Sequence, residues 1–198
     1  KTDPNADSTR IVLAQNYIRN REFDKADALA DKWLADPKQA LVGYNLKAYI
    51  DLLQNNQADA SKMLELAQQN TANNPFTLML QAMVAARENK LEQSAALLKK
   101  AVTEDPKYVP ALSQYYAISK SLNNTADAVK LSEDAVAKNP DNPDLRLTMA
   151  SIYLSEQKPQ ATVETLTGPG VKMSNKSPLY WALLLNAHAQ QNNPQQVL

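Results

Sequence analysis

The sequence predicts an all-α protein built from repeated helix pairs, and three observations carry that prediction. The first is composition. Alanine (29) and leucine (26) together exceed a quarter of the 198 residues, while glycine occurs three times. Both lose little side-chain freedom in a helix, whereas strands favour β-branched and aromatic residues. The second is a recurrence of small residues every 34 positions. Ala14, Ala48, Ala82 and Ala150 share one lattice, with Tyr116 in the remaining slot. Ala26, Ala60, Ser94, Ala128 and Thr162 share another, and Ala67, Ala101 and Ala135 a third whose first slot holds Trp33. Helices that cross closely need small residues at the crossing, and a fixed period of about 20 to 50 residues signals a solenoid. The third is punctuation, in which Asn and Pro alternate as the breaks between helical stretches.

The elements follow from those breaks. Asn20-Arg21, Asn55-Asn56, Asn89, Asn123-Asn124 and Asn192-Asn193 divide each period into two helices. Asn tolerates the left-handed conformation that ends a helix and takes the place usually given to Gly. Asn74-Pro75, Asn142-Pro143 and Ser177-Pro178 read as an N-cap followed by Pro at the first helical position. Asp36-Pro37, Asp105-Pro106 and Asn139-Pro140 close the preceding helices, because Pro cannot continue one. The expected helices are 8–20, 24–35, 40–54, 58–72, 75–88, 91–104, 109–122, 125–138, 143–156, 159–167 and 178–191. The stretch 167–176 contains Gly168 and Gly170 and is expected as a loop, either a functional insertion or tolerated decoration.

Charge and chemistry narrow the function. Twenty-one basic and 21 acidic side chains cancel. That balance removes the broad attraction a general nucleic-acid binder or polybasic membrane binder relies on. The longest basic run is Lys99-Lys100, and no basic stripe with interleaved aromatics occurs. No stretch approaches about 18 consecutive apolar residues, so no membrane-spanning helix is expected. With no cysteine and one histidine, His188, a Cys–His pair is impossible. His188 occupies the slot held by Tyr17 and Tyr153 in their helices, which points to packing. The HExxH spacing is absent, and Gly43, Gly168 and Gly170 form no phosphate-binding loop. Carboxylates such as Glu133-Asp134 are adjacent on a helix and face different directions. No catalytic residue, no cofactor and no metal site is expected, and the chain is read as a non-enzyme.

The residues 109–140, VPALSQYYAISKSLNNTADAVKLSEDAVAKNP, place Ala128, Ala135 and Pro140 in one consensus pattern. The residues 75–106, PFTLMLQAMVAARENKLEQSAALLKKAVTEDP, do so with Ala82, Ala101 and Pro106. The first period keeps Ala14, Tyr17 and Ala26 and reaches Pro37 one residue early, the second overruns to Pro75, and the fifth is irregular from Lys158 onward. The chain resembles the tetratricopeptide repeat family over nearly its whole length. That resemblance implies a right-handed α-solenoid superhelix of antiparallel helix pairs. Its repeats fall at about 7–37, 40–74, 75–106, 109–140 and 142–176, with a partial one at 178–198 after a tail at 1–6. An array that stops at mid-repeat and starts at Lys1 reads as a piece of a longer chain.

The same resemblance implies a concave face lined by the first helix of each pair. Projected on this sequence, the face holds Ile11, Gln15 and Arg19; Asn45, Tyr49 and Leu52; and Phe76, Met79, Met83 and Arg87. The later repeats add Ser113 and Lys120, Leu147 and Ser151, and Ala182, Asn186 and Gln190. Of these, Gln15, Arg19, Tyr49, Met79, Met83, Arg87, Lys120, Leu147 and Asn186 are the candidate peptide-binding residues. The alternative for Met79 and Met83, spaced i and i+4, is that they face the neighbouring helix. Ile11 and Gln15 stand where relatives that clamp a chaperone C-terminus carry Lys and Asn, which disfavours a co-chaperone role. The expected activity is that of a protein–protein interaction scaffold with a protein or peptide partner. The alternative is a structural component of a bacterial envelope assembly for exopolysaccharide secretion or surface-protein sorting. The Asn/Gln-rich texture is similar to the repeat lipoproteins of exosortase systems, which would favour the periplasm or outer membrane over the cytoplasm. Leu179, Tyr180, Trp181, Leu183, Leu184 and Leu185 put apolar groups on two faces of the last helix, so self-association through it is expected as well.

Overall fold

Leucine and alanine at helical spacing, interrupted where Asn or Pro ends a turn, fold into eleven helices among the described residues, with no strand. The computed structural model describes residues 4–171 and 177–191. The rest of the expected 167–176 loop beyond Val171, the Asn192-Asn193 turn and the end of the expected partial repeat 178–198 lie outside the described residues. The expected single array divides into two compact units between Glu104 and Asp105.

The first unit holds α1 (Pro4–Arg19), α2 (Phe23–Leu34), α3 (Ala40–Leu53), α4 (Gln57–Asn70), α5 (Pro75–Arg87) and α6 (Leu91–Glu104). The second holds α7 (Val109–Ser121), α8 (Ala126–Lys138), α9 (Pro143–Ser155), α10 (Pro159–Thr167) and α11 (Pro178–Gln190). The main difference from expectation is α1, which starts at Pro4 rather than at 8, so residues 4–6 of the expected tail are helical. Pro at the first helical position loses no bond, because that N–H has no partner within the helix. The three N-caps are formed. Asn74 accepts from the Thr77 N–H at 3.1 Å, Asn142 from those of Asp144 and Leu145, and Ser177 from that of Tyr180.

The turn inside each pair is one motif repeated five times. Positive φ angles fall at Arg21 (59°), Asn55 (64°), Asn89 (59°), Asn123 (53°) and Gln157 (57°), each 34 residues after the last. At each, the left-handed residue donates its N–H three residues back and its successor donates five residues back. Asn89 reaches the Ala86 carbonyl and Lys90 that of Ala85; Gln157 reaches Leu154 and Lys158 reaches Tyr153. These bonds are the Schellman closure, which satisfies carbonyls the helix end leaves open. The position demanding positive φ in the first pair is therefore Arg21 rather than Asn20, and the fifth pair uses Gln157.

The small-residue lattices lie at the crossings. Ala26, Ala60, Ala128 and Thr162 are fully buried and Ser94 nearly so, as are Ala48, Ala82 and Ala150 opposite them. Where the small residue has a hydroxyl, it bonds to the facing backbone. Ser94 Oγ donates to the Ala82 carbonyl at 2.9 Å, and Thr162 Oγ1 is shared between the Ala150 carbonyl at 3.3 Å and that of Lys158 at the start of its own helix at 3.2 Å. Gly43 marks an equally close approach of α3 to α2, since a Cβ there would lie 2.9 Å from the Ala30 carbonyl oxygen.

Two stability outcomes follow from this geometry. Gln157→Gly relieves a left-handed non-glycine residue and should raise the unfolding free energy by about 1 kcal/mol, with a smaller gain for Asn89→Gly. Urea titration with an unchanged slope checks it. Ala128→Leu should overpack the α7–α8 crossing and cost about 1 to 3 kcal/mol. Ala137→Leu, exposed on the same helix, should change stability by no more than about 0.5 kcal/mol in the same titration.

Candidate interaction surface

In the first unit the expected face is carried by α1, α3 and α5, and its residues separate into three environments. Gln15 and Arg19 lie exposed on α1. Tyr49 on α3, and Phe76 and Met83 on α5, are half-buried, and the Tyr49 and Phe76 rings meet edge-on at 6.3 Å and 64°. Asn45, Leu52 and Met79 are buried. Met79 is 5% exposed, so it packs between helices rather than presenting a surface, while Met83 one turn later stays partly open.

The seam between α3 and α5 explains the buried set. Thr77 Oγ1 donates to Asn45 Oδ1 at 2.9 Å, and both residues are buried. A buried amide without a partner would be costly, and this bond removes the penalty. Arg87 Nη1 donates to the Leu52 carbonyl at 2.6 Å and reaches Asn55 Oδ1 at 3.5 Å. A cation at the last turn of α3 also opposes the negative end of that helix. Arg87 therefore ties α5 to α3.

In the second unit, Lys120 does the same work with a different partner. Its Nζ donates to Ser155 Oγ at 2.5 Å, joining α7 to the end of α9. Tyr116 donates to Glu156 Oε1 at 2.8 Å across the same seam. Leu147 is half-buried against the cluster of Ala150, Leu166, Tyr180, Leu183 and Leu184. Ser151 Oγ donates to the Leu147 carbonyl, whereas Ser113, Ala182, Asn186 and Gln190 are exposed. His188 is buried in α11, and its Nδ1 has no hydrogen-bond partner.

A second feature escaped the sequence reading. Phe23, Asp24, Asp27, Ala28, Asp31, Ile50, Asp51 and Gln54 line a cleft of about 460 Å³ between α2 and α3. The signal was the i, i+3, i+7 spacing of Asp24, Asp27 and Asp31, which puts three carboxylates on one side of α2. Lys47 bridges two of them, at 2.7 Å to Asp27 and 3.0 Å to Asp31. Burial pulls the Lys47 pKa down, but the bonds to Asp27 and Asp31 outweigh it and the value is raised. Burial first, then the nearby charges of Asp59 and Asp27, hold the Asp51 carboxyl above its ordinary range. Among the described residues no group of three or more His, Cys, Asp or Glu is placed to hold a metal ion, and no helix is long and apolar enough to cross a membrane.

No protein-family model and no curated protein matches the sequence. Solved structures match it in fold. A tetratricopeptide-repeat protein of Thermus thermophilus superposes with a TM-score of 0.62 at 18% identity, covering 93% of this chain and 98% of that one. The fold is that of the tetratricopeptide repeat. PilW, a widely conserved type IV pilus biogenesis factor, superposes with a TM-score of 0.60 at 16% identity over 99% of this chain and 91% of its own. Naa15/Naa10 bound to HypK-THB gives 0.59 at 10% identity, with 97% of this chain covered and 30% of that one. The similarity to exosortase-system lipoproteins finds no support among these structures.

The acidic cleft generates a pH-dependent outcome. Because folding raises the Asp51 pKa above 3.8, the folded chain holds that proton more tightly than the unfolded chain. The resulting stabilisation is present below 3.8 and is lost as pH rises through the folded value. Asp51→Asn should thus melt at a higher temperature than the parent at pH 7 and at the same temperature near pH 3, by thermal scans at both values.

Proposed function

We propose that this tetratricopeptide-repeat chain is a non-enzymatic scaffold that binds an extended polypeptide on the face formed by its first helices. The observation that carries the reading is the half-buried Tyr49–Phe76 pair, with Met83 half-buried on the same helix as Phe76. Aromatic groups held by packing lose little freedom on binding and make effective anchors, and Met adapts to what it meets. Arg19 is exposed on α1, while Arg87 and Lys120 already serve the seams. The ligand that fits the first unit is apolar, with few acidic groups, and takes amide contacts from Gln15; Asn186 offers an amide on the corresponding face of the second unit.

A second reading, a structural part of a bacterial envelope assembly, draws on the fold likeness to the pilus biogenesis factor PilW. Fractionation of the native cells separates the two: recovery with envelope membranes favours assembly, and recovery with the soluble fraction favours a free scaffold. Self-association belongs with either. Leu179, Trp181 and Leu185 are 50%, 47% and 53% exposed on α11, beside Leu183 and Leu184, which are buried. Exposed apolar area of that kind favours association. Sedimentation should show concentration-dependent dimers that Trp181→Ser abolishes, and a strict monomer at high concentration overturns it.

The test of the main reading is a pull-down with the full protein, followed by calorimetry on the captured partner. Tyr49→Ala should weaken binding by about 1 to 3 kcal/mol if the ring sits centrally. Arg19→Ala should have a smaller effect that salt removes. Lys138→Ala, on the exposed side of α8, should leave affinity unchanged. If Lys138→Ala abolishes binding while Tyr49→Ala does nothing, the partner uses the second-helix surface and the assignment fails.

A further inference from the structure

We propose that α8 is a conformational device of the second unit, a helix that opens by itself while α7 and α9 stay folded. Two exceptions to the 34-residue pattern meet in this helix pair. The crossing slot that holds Ala14, Ala48, Ala82 and Ala150 holds Tyr116 here. The slot that holds Ala30, Leu64, Leu98 and Leu166, each at most 2% exposed, holds Ser132, which is also fully buried and is the one polar residue of the five. Ser132 spends its hydroxyl on the Ala128 carbonyl of its own helix at 2.8 Å, so it makes no bond across the crossing.

The consequence is a helix with little apolar grip. The buried residues of α8 are Ala128, Val129, Ser132 and Ala135, with no large side chain among them. The equivalent helices bury Leu64 in α4 and Leu98 with Val102 in α6. With a tyrosine ring at the crossing, the α7 and α8 backbones approach less closely than those of α3 and α4 or of α5 and α6. Resistance to opening scales with apolar area removed from water, and among the second helices α8 alone buries no side chain larger than valine.

Polar bonds supply the remaining hold. Tyr115 on α7 donates to Asp127 Oδ2 in the first turn of α8, and Tyr153 on α9 donates to Glu133 Oε1 at 2.8 Å. Water replaces such bonds at small net cost once the carboxylates reach solvent. The neighbours do not depend on α8 for their own contact. Tyr116 reaches Glu156 and Lys120 reaches Ser155 directly between α7 and the end of α9. Both ends of α8 are breaks, Asn123 in the left-handed conformation before it and Asn139-Pro140 after it. Opening uncovers Tyr115 and Tyr153.

Hydrogen–deuterium exchange on the full chain tests this. Amides of 126–138 should exchange at least about tenfold faster than those of α4, α6, α7 and α9. Tyr153→Phe should speed exchange in α8 by a further several-fold and leave α4 unchanged, since one bond to a carboxylate is lost. The double variant Tyr116→Ala/Ser132→Leu, which restores the pattern of the other pairs, should slow α8 to the rate of α6. Equal protection of α8 and its neighbours in the parent protein overturns the proposal. So does Tyr153→Phe accelerating all helices of the second unit alike.

Discussion

The close approach of helix backbones within the pairs, all but α7–α8, is the constraint on which the rest of this molecule depends. A hydroxyl on the second helix reaches a main-chain carbonyl of the first, as Ser94 does with Ala82, only where no side chain larger than a methyl group stands between them. That approach sets the interaxial distance, and the left-handed residue of the connecting turn sets the angle at which the second helix returns. Both recur at 34 residues because they belong to one rigid unit. Neighbouring pairs then meet through the faces that remain, and those seams are partly polar.

The polar seams change what the surface can recognise. Arg87 and Lys120 lie on helices whose position suggests ligand contact, yet each closes a gap between successive first helices. Asn45 and Thr77 do the same from inside. A charge used in this way cannot be spent again on a partner without loosening the seam. On the proposed binding face that leaves the aromatic pair of α3 and α5, the amides, and Arg19. On the second-helix side of the first unit, Lys47 bridges Asp27 and Asp31 of the α2–α3 cleft, and burial first, then the charges of Asp59 and Asp27, raises the Asp51 pKa. In the first unit the seam bonds and the aromatic pair share the same two helices, α3 and α5.

Much of this was legible in the sequence because it is local. The capping roles of Asn74, Asn142 and Ser177 depend on residues three positions away, and Pro at the first helical position marks them. The helix limits follow within about two residues except at α1. The left-handed turn was legible as a region but not as a residue: Arg21 and Gln157 carry no compositional sign of positive φ and take it from their place in the repeat. The acidic cleft needed α3 to bring Asp51 beside the three aspartates of α2. Its spacing was visible, and its depth was not.

The sequence by itself determined the helix content, the 34-residue period and the closely packed crossings, since each rests on propensity and on spacing within one or two turns. Only the tertiary structure decided which side of each first helix is buried. Met79 and Met83 share a face by spacing, yet Met79 is enclosed and Met83 is not, because a helix flanked on two sides has no single apolar stripe. It likewise decided that Arg87 meets the Leu52 carbonyl, a contact across 35 residues that no local rule encodes. Small residues mark a crossing wherever they occur. Which polar group fills a seam depends on what the next helix brings to it.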